Sequence, residues 1–197
     1  MTAPERSPER DAAIVAMLPH VDATGWTMRT LMQAAGPDAD LLFPGGATDM
    51  IETFIDWADR QMEQEAAQRD VASLRLTARL RAVIAIRLEQ NRPYKDAIRR
   101  AFGLLSTPAN APLAARTTAR TIDTIWHAAG DSSADFSWYT KRAILAAIYG
   151  ATLLYWLRDD SPGDERSLAF LDRRLAGVDR IARLRRRAQD RFRSTPA

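Results

Sequence analysis

The chain has 197 residues, 46% of them apolar and 27% charged, which suits one domain or a small module fused to a larger one. It contains no cysteine, which excludes disulfides and thiolate metal sites. The net charge of +3 is unevenly divided, because residues 1–70 hold 5 basic and 13 acidic residues (net −8), whereas residues 71–197 hold 23 and 12 (net +11).

Three short helices separated by tight turns are predicted in the N-terminal part of the chain. Ser7 and Pro8 form an N-cap and a first helical position, and Pro19 is expected to stop this first helix. Thr27 can cap the second helix. Because short helices joined by tight turns are typical of a helix-turn-helix module, we place such a module at residues 1–46. The predicted helices are residues 8–18, 28–35 and 38–42.

Longer helices are predicted over the rest of the chain. No segment alternates apolar and polar residues as a half-buried strand would, so the predicted fold class is all-α. The most apolar stretch, residues 143–157, is shorter than the roughly 18 residues of a membrane span, so we expect a buried helix. Residues 47–197 are predicted to form a larger helical domain. Its helices are expected at residues 47–69, 73–90, 94–105, 113–129, from 138 through the apolar stretch, and 164–191.

Residues that could support catalysis or bind a metal do not form a known motif. His20 and His127 lie far apart, and no Glu-x-x-His pair, glycine-rich phosphate loop or nucleophile elbow occurs. We therefore predict that the protein is not an enzyme and has no metal or cofactor, and we interpret His127 as a structural residue. An enzyme with a site assembled from scattered residues stays open, because a sequence does not show such a site.

The helix that would lie in the DNA major groove has the wrong charge. It spans residues 38–42 and contains Asp38 and Asp40 but no Arg, Lys, Asn or Gln. Duplex DNA carries about one negative charge per 1.7 Å, so the acidic N-terminal region would be repelled. We predict no binding to nucleic acid, and we keep a ligand-responsive transcription regulator as the alternative function.

Seven arginines fall between residues 180 and 193, around a narrow apolar stripe. One interpretation is a basic amphipathic helix that rests on an anionic membrane surface. The other is the solvated end of a packed helix, stabilised by cations near its C-terminal dipole. In the first interpretation the membrane-surface residues are Arg183, Arg186, Arg187 and Phe192.

Two adjacent aromatic residues, Trp138 and Tyr139, stand at the predicted start of the apolar helix. Neighbouring residues on a helix project in different directions, so we do not expect both rings to be fully buried. With Asp135 and Arg142 on either side, the pair fits a surface that binds a protein partner. The alternative is that both rings seal the core.

Taken together, several segments resemble the Coq-nine family of ubiquinone-biosynthesis accessory proteins, whose fold is similar to that of TetR-type regulators. The resemblance covers roughly residues 12–178, and its most specific part is the Trp-Tyr-Thr-Lys-Arg segment at residues 138–142. The matching segments are residues 125–131, 135–143, 145–149, 160–162 and 170–174, the loop 108–112, Gly25-Trp26 and Phe43.

The resemblance implies a TetR-like, non-catalytic homodimer with a hydrophobic pocket for an isoprenoid lipid in a ligand-binding and dimerisation domain. It also implies that the protein binds a quinone intermediate and presents it to the di-iron demethoxyubiquinone hydroxylase. Family members generally need no bound metal. The family's partner-facing residues correspond here to Pro108, Asn110, Pro112, Asp135, Trp138, Tyr139 and Arg142.

One departure from the family concerns the two ends of the chain. Mitochondrial relatives carry a transit peptide and a final apolar amphipathic helix, whereas this chain starts with a mixed acidic and basic segment and ends in arginines. We therefore expect a bacterial member that is cytoplasmic and at most peripheral on the inner face of the cytoplasmic membrane, with salt-sensitive membrane contact.

The apolar helix at residues 143–157 is the predicted lipid-binding element. A helix that is apolar all round must be buried on every side, and a TetR-like fold offers a pocket there. The alternative is an ordinary core without a cavity, which the sequence does not separate from a pocket. The residues expected to contact lipid are Leu145, Ile148, Tyr149, Thr152, Leu153 and Trp126.

Overall fold

The structure, a computed structural model, describes residues 4–130 and 138–177. These residues form helices and turns without a strand, which confirms the all-α prediction. Short 3-10 helices occur at Pro37–Leu42, Val71–Ser73, Arg92–Tyr94, Pro108–Asn110 and Pro162–Asp164. The longer helices are α1 (Pro8–Thr24), α2 (Met28–Ala35), α3 (Ala47–Gln68), α4 (Leu76–Asn91), α5 (Lys95–Leu105), α6 (Ala111–Ala128), α7 (Trp138–Trp156) and α8 (165–177 in the described part).

The starts of the first two α-helices follow from local capping chemistry. The Ser7 hydroxyl accepts a hydrogen bond from the Arg10 backbone N–H at 3.2 Å, and the Thr27 hydroxyl accepts one from the Thr30 N–H at 3.2 Å. Each bond satisfies one of the helix's unpaired N-terminal donors. Both caps were predicted from the sequence.

The prediction that Pro19 stops the first helix is wrong. α1 continues through Pro19 to Thr24 and ends only at Gly25, whose φ of 77° most other residues would avoid. Proline removes one helical hydrogen bond, but Pro19 lies on the exposed side, where water can replace the lost partner.

The third helix of the N-terminal region differs in type from the first two. Pro37–Leu42 is a 3-10 helix, and Leu41 within it is 78% exposed. The region is fixed to α3 by the buried Arg10, which donates to the Leu42 carbonyl, to Asp49 at 2.5 Å and to Thr53 at 2.8 Å. The Arg10 guanidinium is thus enclosed by contacts within the protein and is not accessible to a phosphate group.

The chain divides into two compact units, Met1–Ala146 and Ala147–Ala197. In the first unit α3 packs against α4 and α6, and α1 packs against α2, α3 and α5. An aromatic cluster supports this packing: Trp26 lies 5.7 Å from Phe54, and the Trp26 indole N–H donates to the Ala97 carbonyl at 2.9 Å. The division at residue 46 into a helix-turn-helix module and a lipid-binding domain stays a prediction.

In the second unit the buried Asp159 organises the turn between α7 and α8. Its carboxylate accepts hydrogen bonds from the Ser161 N–H at 3.0 Å, the Ser167 N–H at 2.8 Å and the Ser167 hydroxyl at 2.6 Å. Burial alone would raise the pKa of Asp159, but these hydrogen bonds hold the pKa well below its usual range. Of the helices in the described residues, none has the length and hydropathy to span a membrane.

Candidate functional site

A shallow groove of about 520 Å³ runs along α6 and meets the beginning of α7. Its walls are mostly alanine, and such short side chains leave space in which an apolar side chain of a partner can pack. The groove is lined by Ala114, Ala115, Thr118, Ala119, Ile122, Asp123, Arg142, Ala143 and Ala146.

An ion pair between α6 and α7 forms part of the groove wall. The Arg142 Nε donates to the Asp123 carboxylate at 2.5 Å, and the two side chains are 20% and 40% exposed. A partly exposed pair of this kind contributes at most about 1 kcal/mol to stability, so its main effect is to orient the first turns of α7 against α6. Arg142, a predicted partner residue, therefore lies in the groove.

The proline loop predicted at residues 108–112 lies at the start of α6, where the structure has the 3-10 helix Pro108–Asn110 and the first two residues of α6. Pro108 and Pro112 are exposed, Asn110 is half-buried, and the Asn110 side-chain amide donates to the Leu104 carbonyl at 2.9 Å. Next to this loop, at the end of α5, Phe102 and Leu104 are 39% and 38% exposed. We did not predict these two residues. The sequence around them contains no recognisable motif. Only a helical-wheel projection of the predicted helix would have placed them on its outer side.

Of the aromatic pair at the start of α7, Tyr139 is 78% exposed, as the interaction hypothesis requires. Trp138 is the first residue of α7, but its side chain lies outside the described part, as does all of Asp135. The four predicted membrane-surface residues also lie outside the described residues: Arg183, Arg186, Arg187 and Phe192.

The predicted lipid-binding residues are buried, apart from the half-buried Leu153. Leu145 and Thr152 are at most 1% exposed, and the Thr152 hydroxyl donates to the Ile148 carbonyl one turn back at 2.8 Å. Thr152 therefore satisfies its own hydrogen-bonding group within the helix and presents its methyl group to its surroundings. Ile148 and Tyr149, each 7% exposed, complete the set on α7.

Trp126 differs from the other lipid candidates because it brings an unsatisfied polar group. It is 5% exposed, and its indole N–H has no acceptor within hydrogen-bonding distance among the described residues. A buried donor without a partner costs about 1–3 kcal/mol, so it is rare in a finished core.

The two histidines and the acidic residues form no metal-binding group in the part of the chain that is described. No three histidine or carboxylate side chains are grouped there as metal ligands. His127 is 82% exposed on the side chain and contacts the Glu63 carboxylate through Nδ1. It therefore forms a surface pair with Glu63.

Buried charges instead join the helices of the first unit. Glu52 on α3 accepts hydrogen bonds from Arg116 at 2.6 Å and Arg120 at 2.7 Å, both on α6. Burial raises the pKa of the Asp59 carboxyl to about 6, although Arg87 at 3.1 Å and the Thr121 hydroxyl at 2.9 Å act in the opposite direction. These groups are fully enclosed or paired, which suits a structural role.

Comparison with known proteins gives a consistent family. The model of the COQ9 family matches residues 111–182. The human ubiquinone biosynthesis protein COQ9, mitochondrial, is 33% identical in an alignment of 174 positions that covers 82% of this chain and 55% of the human protein. The Schizosaccharomyces pombe protein of the same description is 30% identical in an alignment of 174 positions, which covers 85% of this chain and 69% of the yeast protein. The chain spans about half the length of the vertebrate relatives it matches.

Among solved structures, the TetR transcriptional regulator from Nitrosomonas europaea ATCC 19718 is similar, with a TM-score of 0.71 at 21% identity. The match covers 86% of this chain and 97% of the regulator, which confirms the TetR-like fold. One prediction is corrected here. The expectation of a cytoplasmic protein, at most peripheral on the inner face of the cytoplasmic membrane, is wrong, because the relatives from human, frog and fission yeast are all described as mitochondrial.

Proposed function

The chain belongs to the COQ9 family, and we propose that it serves ubiquinone biosynthesis as a non-catalytic, lipid-binding accessory protein. In this proposal it binds an isoprenoid quinone intermediate and presents it to the demethoxyubiquinone hydroxylase. The relatives are named as ubiquinone biosynthesis proteins, which supports the pathway.

The buried indole N–H of Trp126 is the observation that carries lipid binding. A quinone ring offers two carbonyl oxygens, and either could accept from this donor. An isoprenoid chain has only apolar surface to bury, and the buried Leu145 side chain in the same unit offers matching chemistry. In this proposal the Trp126 donor binds the polar head of the quinone.

The groove along α6 supports the binding of a protein partner. It joins an apolar floor to the Arg142–Asp123 pair at its wall, and Tyr139 stands exposed one turn before Arg142. Exposed aromatic and arginine side chains are the residues enriched at the energetic centre of protein interfaces. We assign this surface, with the Pro108–Pro112 loop and the exposed Phe102 and Leu104, to the hydroxylase.

Two further parts of the proposal concern assembly. The described residues expose large apolar side chains in separate places, for example Leu74 just before α4 and Leu76 at its first position, at 44% and 42%. A second copy of the chain can therefore bind at one face and the hydroxylase at another, so that a homodimer leaves the hydroxylase surface accessible. Contact with a membrane surface through the arginine-rich tail is a prediction that lies beyond the described residues.

Reconstitution of hydroxylation tests the proposal directly. The demethoxyubiquinone hydroxylase is incubated with substrate held in vesicles, with and without the purified chain, and product is quantified. We expect the chain to accelerate product formation by the enzyme and to form none by itself. Turnover by the chain alone would contradict the non-catalytic role, and an unchanged rate would contradict presentation of the substrate.

The alternative is a TetR-type, ligand-responsive transcription regulator. The regulator from Nitrosomonas europaea shares the fold but only 21% of the residues, so the likeness carries no argument about DNA. In the reading position this chain has a 3-10 helix with Asp38, Asp40 and the exposed Leu41. Acidic and apolar side chains there oppose phosphate binding, so we favour the accessory role.

A further inference from the structure

A second, basic cleft of about 550 Å³ lies within the C-terminal unit, between the second half of α7 and α8. It contains none of the residues assigned above to the lipid or to the hydroxylase. Its walls combine three arginines with two aromatic rings and a leucine: Arg158, Arg166, Arg174, Tyr155, Phe170 and Leu154.

The arginines are arranged to act on one bound group. Arg166, Phe170 and Arg174 are spaced four residues apart on α8, so they lie on the same face of that helix. Arg158 approaches from the end of α7. All three arginines are exposed, and no carboxylate in the described part of the chain forms an ion pair with any of them. The three guanidinium groups in the cleft therefore have no negatively charged partner among the described residues.

One acidic residue, Asp159, also lines this cleft, but its charge is already used. Asp159 is 5% exposed, and its two carboxylate oxygens accept the hydrogen bonds from Ser161 and Ser167. Those bonds hold the turn between α7 and α8. The carboxylate therefore holds the backbone near the arginines in place. It does not occupy the N–H donors of the arginine side chains.

The aromatic rings give the cleft an apolar side. Tyr155 and Phe170 stack with their ring centroids 4.7 Å apart and their planes 10° apart, and the Arg174 guanidinium lies 4.8 Å from the centre of the Phe170 ring. Leu154 is 46% exposed beside them. Stacking on Phe170 restricts Arg174, so less freedom is lost when its donors bind an anion.

We propose that this cleft binds an amphiphile whose head is a phosphate or diphosphate. Guanidinium groups bind phosphate oxygens through paired, charge-assisted hydrogen bonds, and three of them match the charge of a diphosphate. The first carbons of the attached chain lie against Leu154, Tyr155 and Phe170. The head can belong to a free isoprenyl diphosphate or to an acidic phospholipid, which share this chemistry.

Calorimetric titration of the full chain tests the site, with farnesyl diphosphate, inorganic pyrophosphate and vesicles of phosphatidic acid or phosphatidylcholine as probes. Arg166→Gln/Arg174→Gln removes two cleft charges. Arg69→Gln/Arg99→Gln is the matched control, because it removes two charges from exposed arginines elsewhere. Phe170→Leu keeps an apolar side chain and removes the ring.

We expect farnesyl diphosphate or phosphatidic acid vesicles to bind, and the cleft double variant to weaken that binding about tenfold or more. The control pair should change it by less than about twofold, since surface charges at a distance are screened by salt. Phe170→Leu should weaken the binding of farnesyl diphosphate more than that of pyrophosphate, because pyrophosphate loses only the restriction of Arg174 whereas farnesyl diphosphate also loses contact with the ring.

Three results would overturn the site. The first is an absence of binding to both phosphate amphiphiles. The second is an equal loss in the cleft and control variants, because bulk charge would then explain the binding. The third is a change of oligomeric mass in the cleft variant, since the cleft would then be an interface between copies. Hydroxylase stimulation, measured in parallel, reports on the proposed function separately.

Discussion

The Arg142 guanidinium donates to the Asp123 carboxylate at 2.5 Å and so links the beginning of α7 to the middle of α6. The two residues are 19 positions apart in sequence, and the connecting segment between α6 and α7 includes residues 131–137, which are not described. The ion pair therefore places a predicted partner residue on the same groove as the alanine side chains of α6.

Breaking this pair should affect partner binding more than stability. In Asp123→Asn the Arg142 side chain loses its charged acceptor and its fixed orientation, so affinity for the demethoxyubiquinone hydroxylase should fall about three- to tenfold. The free energy of unfolding should change by less than about 1 kcal/mol, because the pair is partly exposed. Biolayer interferometry and urea unfolding measure the two quantities. Unchanged affinity would show that the pair is not part of the surface that binds the hydroxylase.

Tyr139→Ala should weaken hydroxylase binding about tenfold or more, while circular dichroism stays unchanged. The ring is 78% exposed, so its removal leaves the core intact. An aromatic side chain at the centre of an interface commonly contributes about 2 kcal/mol or more to the binding free energy. Leu41→Ala is the matched control, since Leu41 is also 78% exposed but lies on the helix-turn-helix region. Equal losses in both variants would show that the assignment of the surface is wrong.

The pH dependence of stability should carry opposite contributions from two neighbouring aspartates. Burial raises the pKa of Asp59 to about 6, so the folded state holds that proton more tightly than the unfolded chain, whose pKa is 3.8. Stability from this group is present below about pH 4 and is lost as pH rises through 6. Asp59→Asn should therefore remove a decline of up to a few kcal/mol between about pH 4 and 7.

Asp56 provides the matched comparison. Burial would raise its pKa, but hydrogen bonds from Arg6 and Arg60 outweigh this effect and lower the pKa below its ordinary value. Its contribution to stability is present above about pH 4 and is lost as pH falls. Asp56→Asn should flatten the acid side of the stability curve. Urea unfolding at half-unit pH steps measures both variants, and slopes of the same sign would contradict this account.

Nucleic-acid binding should be absent even where electrostatic attraction is strongest. Residues 1–70 carry a net charge of −8, and Asp38 and Asp40 occupy the reading position. We expect no specific band in a gel-shift experiment at low salt with genomic fragments. A specific, competitor-resistant band would favour the regulator and overturn the charge argument.

The sequence was informative where local chemistry decides the structure. Ser7 and Thr27 were identified as caps because a short hydroxyl side chain satisfies a free N–H. The prediction that the apolar run of α7 is buried on every side is wrong, because Ile144, Leu154 and Tyr155 are 39%, 46% and 37% exposed. Pro19 was misjudged, since its tolerance depends on which side of α1 faces water.

The candidate site was only partly predictable, because it depends on contacts between distant segments. Arg142 and Tyr139 stand in a recognisable segment, whereas Phe102 and Leu104 become notable only through their exposure beside the proline loop. The orphan donor of Trp126 is a property of its surroundings, which a sequence does not list. The same holds for the cleft that brings Arg158 to α8.

Two buried tryptophans allow a controlled test of the lipid site. Trp126 is 5% exposed with an unpaired N–H, and Trp26 is 4% exposed with an N–H that donates to Ala97. Trp126→Phe should raise the free energy of unfolding of lipid-free protein by about 1 kcal/mol or leave it unchanged, because it removes an unsatisfied donor. Trp26→Phe should lower it by a similar amount. Equal destabilisation would mean that the Trp126 donor is satisfied.

Mass spectrometry of the lipid bound to purified protein tests the central claim most directly. Protein prepared without detergent is extracted with solvent, and isoprenoid quinones are quantified per mole of chain for the unsubstituted protein, Trp126→Phe and Trp26→Phe. We predict a bound isoprenoid quinone in the unsubstituted protein and in folded Trp26→Phe, and a loss of about tenfold in Trp126→Phe, because the ligand loses its buried hydrogen-bond donor. No quinone in any sample, together with no uptake of added quinone, would contradict the account.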